Sequence, residues 1–392
     1  MKELIVKNHL MEFIETHNDW KELLQSDPYN LIIKEDEDLP NLYLFKYNMI
    51  ESNMNLDIPQ EARGIILEVI KNEDGSYSTT LVAHSFDKFF NYTEEQGRQV
   101  LEKFDWNNYS FQEKRDGSLL RLWHYKGEWH VSTSGTIDAH KATIEIPSSQ
   151  YHSFGDMFDA IFSTYNVNLE LLDKGFTYSF ELTSPNNKIV VDYTTDELTL
   201  IGMRINKLNL EVDPFQYNPF ADIKNVEKFE FSSLDQALEV INTKGNFEGL
   251  VLTDKNFNRV KIKTDEYLVL AKLSDETSSD RGIMRMILDG RIDDVLNRLP
   301  HLQPRIDKVR GFINEEISNA RALVDSIDFS QDRKSIALAV SGNPYAKLVF
   351  PLINNPDQDT VGDYFTVDNL EKIYRIYRDK FHITAENDKE VE

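Results

Sequence analysis

The chain has 392 residues, 40% of them hydrophobic and 11% aromatic, with a formal net charge of −24 and no cysteine. That length allows two domains with real cores, and the missing cysteines exclude disulfides, thiolate metal sites and cysteine nucleophiles. The charge excludes a surface that coats nucleic acid at large, so any polyanion has to be held by a local cluster of Lys and Arg.

Helical periodicity runs over Lys2 to Gln25 and predicts an amphipathic helix that stops at Asp27-Pro28. Short β-branched and aromatic runs follow from Leu31 to about Lys263, among them "LYLFKY", "GIILEVI", "LLRLWHY", "TYSFEL" and "RVKIKT", with turn pairs such as Asp74-Gly75 between them. Helical insertions are expected near Phe154–Leu172 and Ser233–Asn242, and after Thr264 the texture is helical throughout. This divides the chain into an α+β part, residues 1–270, a helical part, 271–385, and an acidic tail, 386–392. No apolar run approaches the roughly 20 residues of a membrane span, and the amphipathic N-terminal stretch does not read as a signal peptide.

In "FQEKRDGSLLRLW", Lys114 ends a short run and Arg115-Asp116-Gly117 turns the chain. Glu181 ends the apolar run of "YSFELTSP", and Glu248-Gly249 opens "LVL". Lys261 and Lys263 stand two apart in a strand, so both point to one face, where paired ammonium groups are costly unless they meet an anion. Arg63 and Lys88 precede further short runs. One scheme uses all of these: cations converge on a polyphosphate, carboxylates take ribose hydroxyls or a hydrated divalent metal, and Lys114 attacks an α-phosphorus. The attacking amine has to be neutral, and Lys261 and Lys263 are expected to lower its pKa.

The ordered set "EKRDGSL", "VSTSGTI", "YSFELTSP", "LTLIGMRI", "EGLVL" and "VKIKT" resembles the six collinear motifs of the covalent nucleotidyltransferases. The upstream "ARGIILE" and "DKFFNY", with the helical C-terminal part, narrow the resemblance to the bacteriophage T4 RNA ligase 1 type of tRNA-repair ligase. The resemblance implies an α+β nucleotidyltransferase domain of antiparallel sheets with helices, followed by an all-helical RNA-specificity domain. It implies ATP and Mg²⁺ (or Mn²⁺) as cofactors and Lys114 as the residue that carries AMP, with Glu248 and Tyr267 as further catalytic residues. Tyr47, Arg63, Lys88, Phe90, Val251, Lys261 and Lys263 match nucleotide-binding positions, and Glu181 and Asp293 match metal-associated carboxylates. The expected partner is RNA, a tRNA broken in its anticodon loop, with an end-healing kinase-phosphatase acting before it. A monomer in the cytoplasm of a phage-infected host is the setting the resemblance implies. Ser134 departs from the pattern, standing where the T4-type enzymes carry a lysine, so that lysine's role is either lost or taken by another cation, with Lys141 the candidate. A capping guanylyltransferase or DNA ligase, and an inactive module that recognises RNA ends, are the alternatives. The first two normally place an OB-fold where this chain reads as helices. Tyr374 and Tyr377 read as helix packing, with stacking on RNA bases the alternative.

Overall fold

The computed structural model describes residues 4–144 and 149–383. The chain forms two compact units, Met1–Leu268 and Val269–Glu392. The acidic tail lies outside the described residues.

The first unit begins with α1 (His9–Thr16) and α2 (Trp20–Gln25), not with one long helix. Asn8 caps α1 by accepting from the Met11 N–H, and the Glu61 carboxylate accepts from the His9 and Leu10 amides at 3.1 and 2.9 Å. The chain is extended at His17, and Asn18-Asp19, weak helix formers, separate the two helices. Upstream, Leu4, Ile5 and Val6 are exposed and non-helical, and the Val6 amide bonds to the Lys207 carbonyl.

These helices cover one face of an antiparallel meander, β1 (Leu31–Glu35), β2 (Leu42–Tyr47), β3 (Arg63–Lys71) and β4 (Tyr77–Ala83), with α3 (Asp57–Glu61) between β2 and β3. Phe45, Ile65 and Leu67 pack on Leu10, Met11, Ile14 and Trp20, whereas Leu42, Leu44 and Ile66 point to the other face. That period of two is the alternation of a sheet buried on both sides.

Two five-stranded sheets follow. One joins β5 (Phe90–Asn91), β6 (Tyr109–Lys114), β12 (Lys228–Phe229), β13 (Gly249–Asp254) and β14 (Arg259–Lys263) in the order β12-β6-β13-β14-β5. The other joins β7 (Ser118–Tyr125), β8 (Glu128–Thr133), β9 (Phe176–Thr183), β10 (Glu197–Ile205) and β11 (Leu210–Val212) in the order β11-β10-β9-β7-β8. Helices α4 (Glu95–Glu102) and α6 (Leu234–Ile241) cover Phe111, Leu250, Leu252, Val260 and Ile262 of the first. Helix α5 (Phe154–Phe162) covers Leu120, Leu122, Phe180 and Leu182 of the second. With one face of each sheet closed by apolar packing, the opposite faces are left for polar residues.

The chain then turns helical, with α7 (Asp265–Glu276), α8 (Asp280–Leu288), α9 (Ile292–Arg298), α10 (Gln303–Asp325), α11 (Arg333–Ala339), α12 (Thr360–Tyr364) and α13 (Leu370–Phe381). Ile306, Val309, Phe312 and Ile313 of α10 meet Ile283, Met284 and Met286 of α8 and Ile373, Tyr374 and Tyr377 of α13 in the core of the second unit. The buried Tyr377 hydroxyl donates to Asp280 at 2.7 Å, so this tyrosine pair is packing. The architecture is therefore α+β followed by helices.

Candidate active site

Cross-strand registry assembles the site. Lys114 of β6 stands opposite Gly249 of β13, which stands opposite Lys263 of β14; the next row is Gln112, Val251 and Lys261, and the next Ser110, Thr253 and Arg259. The period of two puts these rows on the face away from the helices.

Arg115-Asp116-Gly117 is not a hairpin turn. It carries the chain from one five-stranded sheet into the other, so Lys114 sits at their seam. Asp116 is buried and fixes this crossing: its carboxylate accepts from the amides of Val190 and Val191 at 2.7 and 2.8 Å and from the Tyr267 hydroxyl at 2.7 Å. Gly117 is required because a Cβ there would lie 2.3 Å from the Leu182 carbonyl oxygen of β9. Its amide donates to Glu181 Oε1 at 3.2 Å.

Between the sheets lies a cavity of about 330 Å³. Arg63, Lys114, Arg115, Arg259, Lys261 and Lys263 line it, with Glu113, Glu181, Ser134 and the apolar Phe86, Phe89, Leu119 and Val251. Glu248, 2% exposed, bridges two of the cations: Lys114 Nζ donates to its Oε2 at 2.8 Å, and Lys263 Nζ lies 3.0 Å from its Oε1.

This arrangement reverses one expectation. Burial pulls the Lys114 pKa down, but Glu248 and Glu181 outweigh it and hold the amine above its ordinary value. The depressed amine is Lys261, brought down to about 7 by burial and then by Arg63, Lys114, Lys88 and Lys263. Lys263 cannot act on Lys114 as an unpaired charge because the same carboxylate neutralises it. Burial also raises Glu181 to about 7, against the pull of Lys114. Arg63 has a buried Nη1 with no hydrogen-bond partner, and its guanidinium lies 5.2 Å from the Phe89 ring centroid and 5.8 Å from that of Phe86.

Tyr47, Lys88 and Phe90 form a stack beside the cavity, with the Lys88 ammonium 4.3 Å from the Tyr47 ring centroid and 5.5 Å from that of Phe90. Phe89 and Phe86, not Phe90, line the cavity itself. Tyr267 stands beside the turn, donating to Asp116 and lying 4.6 Å under the Lys263 ammonium. Lys141 pairs with Asp38 at 2.5 Å and does not line this cavity, so it does not replace the charge absent at Ser134. Sequence reasoning missed Glu113, Arg115, Arg259, Phe86 and Phe89. Arg259 was within reach, since it is two residues from Lys261 on the same strand. It is held by Glu211 at 2.5 Å and stacks over Phe86 at 4.6 Å.

Asp293 belongs to the second unit, where it is exposed on α9 and 3.5 Å from Arg310. Among the described residues no group of three or more His, Asp or Glu is gathered to hold a metal. A magnesium ion requires none, since it commonly takes one or two carboxylates together with substrate phosphates and water. Glu181, a carboxylate that burial leaves poorly compensated, fits that demand.

The RNA ligase family model matches residues 61–267, just over half of the chain. The fold is that of an RNA-ligase-type nucleotidyltransferase. The chain belongs to the RNA ligase family. It is 29% identical over 314 residues to a putative bifunctional polynucleotide kinase/RNA ligase of Autographa californica nuclear polyhedrosis virus, covering 75% of this chain and 43% of that protein. This chain therefore spans less than half of the viral protein. An RNA ligase of Rhodothermus phage RM378 is 23% identical over 350 residues, 73% of this chain and 76% of the phage protein. A solved archaeal ATP-dependent RNA ligase aligns with a TM-score of 0.43 and 15% identity over 77% of this chain and 79% of that one.

Proposed function

We propose that the protein joins RNA 5′-phosphate and 3′-hydroxyl ends at the expense of ATP. The observation that carries this reading is Lys114 at the seam of two sheets, inside a cavity where five further cations converge. In the first step the neutral Lys114 amine attacks the α-phosphorus, a phosphoramidate bond forms, and the bond to pyrophosphate breaks. Arg63, Lys261 and Lys263 take the charge that develops on the departing pyrophosphate. In the second step an RNA 5′-phosphate oxygen displaces Lys114 and leaves a 5′–5′ pyrophosphate end. In the third a 3′-hydroxyl attacks that end and AMP departs. Val251 and Phe89 offer apolar faces for the base. Glu181 would hold a magnesium ion, which supplies Lewis-acid charge neutralisation when bound.

The helical unit selects the RNA, and the substrate is a cleaved tRNA whose ends another enzyme has prepared. The viral relative, named as a kinase joined to a ligase, supports that pairing.

The test is self-labelling with α-labelled ATP or GTP and magnesium. ATP alone should label the protein, Lys114→Ala should abolish labelling, and the same variant should still seal RNA supplied with a pre-adenylated 5′ end. Stable labelling by GTP alone would move the protein to the capping enzymes. Labelling of Lys114→Ala at the normal rate would make Lys114 a turn residue only.

A further inference from the structure

Arg121 lies in the middle of β7 and is fully buried, yet among the described residues it has no carboxylate partner. Its two terminal nitrogens donate to two backbone carbonyls on different strands, Gly64 at the start of β3 and Thr133 at the end of β8. Nε has no partner. A guanidinium placed this way is expensive, because burial strips its water and nothing neutralises the charge.

The two carbonyls explain the placement. Gly64 follows Arg63, and Thr133 precedes Ser134, both of which line the cavity. The two segments touch: Gly64 has φ of +74°, and a Cβ there would lie 2.6 Å from the Ser134 carbonyl oxygen. Along the same face of β7, Leu119 lines the cavity and Trp123 packs against Leu42, Leu44 and Ile66 of the meander. Arg121 therefore stands where the meander, which delivers Arg63, meets the sheet that delivers Glu181. The rigid fork of a guanidinium can reach two acceptors at once, which an ammonium cannot.

The geometry points to Arg121 as a positioning residue that clamps β3 to β8 and so aims Arg63 into the cavity. Burial and the neighbouring Arg63 push its pKa down to about 9, so the two cations sense each other. The inference rests on the reading that this cavity takes a polyphosphate.

Calorimetric binding of inorganic tripolyphosphate to the full chain tests it in the wild type, Arg121→Gln, Arg63→Ala and the double variant. Arg121→Gln should weaken binding by about tenfold, while in the Arg63→Ala background the same change should cost less than about twofold, the signature of two residues acting as one. For self-labelling, KM for ATP should rise in Arg121→Gln and the rate at saturating ATP should fall as far as in Arg63→Ala and no further, with no additional fall in the double variant. Arg121→Lys, which keeps the charge but loses the fork, should recover only part of the loss and carries the cycle if Arg121→Gln does not fold. Undiminished binding in Arg121→Gln, or losses that multiply in the double variant, overturns the proposal. Multiplied losses with intact self-labelling sink this inference alone. A cycle that holds in a protein unable to label itself sinks the ligase reading alone.

Discussion

Glu181→Gln should stabilise the ligand-free protein above neutral pH while disabling it. Glu181 titrates near 7 in the folded chain against 4.5 for a free side chain, because burial disfavours its charge more than Lys114 favours it. A group whose folded pKa is raised contributes stability that is fully present below about 4.5 and is lost as pH rises through about 7. The difference of about 2.5 pH units corresponds to about 3 kcal/mol, and the half-buried position of the side chain brings the expectation to about 2–3 kcal/mol. Glutamine keeps an oxygen to accept from the Gly117 amide, so the substitution removes the charge and little else. Urea unfolding of both proteins at pH 8 should show the variant ahead by that margin, and the gap should close at pH 4.5. Self-labelling of the variant should be lost at both. An increment that is the same at both pH values, or none at pH 8, would refute the reasoning.

Three further outcomes follow from the same cavity. At pH 8 the Lys261 amine is mostly neutral, so binding of tripolyphosphate should draw a proton to it; calorimetry in buffers of different ionisation enthalpy measures the uptake, and Lys261→Met should reduce it to the part taken by Glu181. Gly117→Ala places a methyl group 2.3 Å from the Leu182 carbonyl. The turn has to shift, and self-labelling should fall by about 100-fold, the cost of displacing a nucleophile by about 1 Å; a rate within a few-fold of wild type would show that the turn tolerates the shift. Ser134→Lys adds a cation to the cavity wall and should preserve or raise self-labelling; a large loss with an unchanged melting temperature would mean that the pocket is built around the hydroxyl.

What the sequence disclosed was governed by local periodicity. Strand alternation put Lys261 and Lys263 on one face, and the same count applied to Arg259 would have added a third cation. The turn at Asp116-Gly117 was legible as a turn. That it joins two sheets was not, because this depends on β6 pairing with β13, more than 130 residues away in the chain. The sign of the Lys114 pKa failed for the same reason: its dominant partner, Glu248, arrives through that pairing. Nothing local in "LLRLWHY" marks Arg121 as more than one polar residue of a strand, because the two carbonyls it meets come from β3 of the meander and the end of β8. The N-terminal periodicity overruns the helices themselves because charge and apolar residues alternate across Asn18-Asp19 without regard to the break.

The ligand-free cavity is electrostatically unsettled in opposite directions, and this bears on how an acidic chain can hold a polyanion. Lys261 is pressed towards neutrality by burial and by its cationic neighbours, and Arg63 keeps a buried nitrogen without a partner. A triphosphate relieves both, at short range and in a poorly screened site, where Coulomb interactions outweigh the −24 charge spread over the surface. The same triphosphate worsens the position of Glu181, already reluctant to ionise. A divalent cation beside that carboxylate removes the conflict, so nucleotide and magnesium should favour each other inside the cavity beyond their affinity in water. Lys114 remains the exception, since Glu248 keeps it charged. Phosphates drawing Lys263 away would leave Glu248 to Lys114 alone and strengthen that pair. Deprotonation of the nucleophile therefore has to be driven by pH or by a change at Glu248 itself, and the rate of self-labelling should rise with pH well past the point where Glu181 and Lys261 have finished titrating.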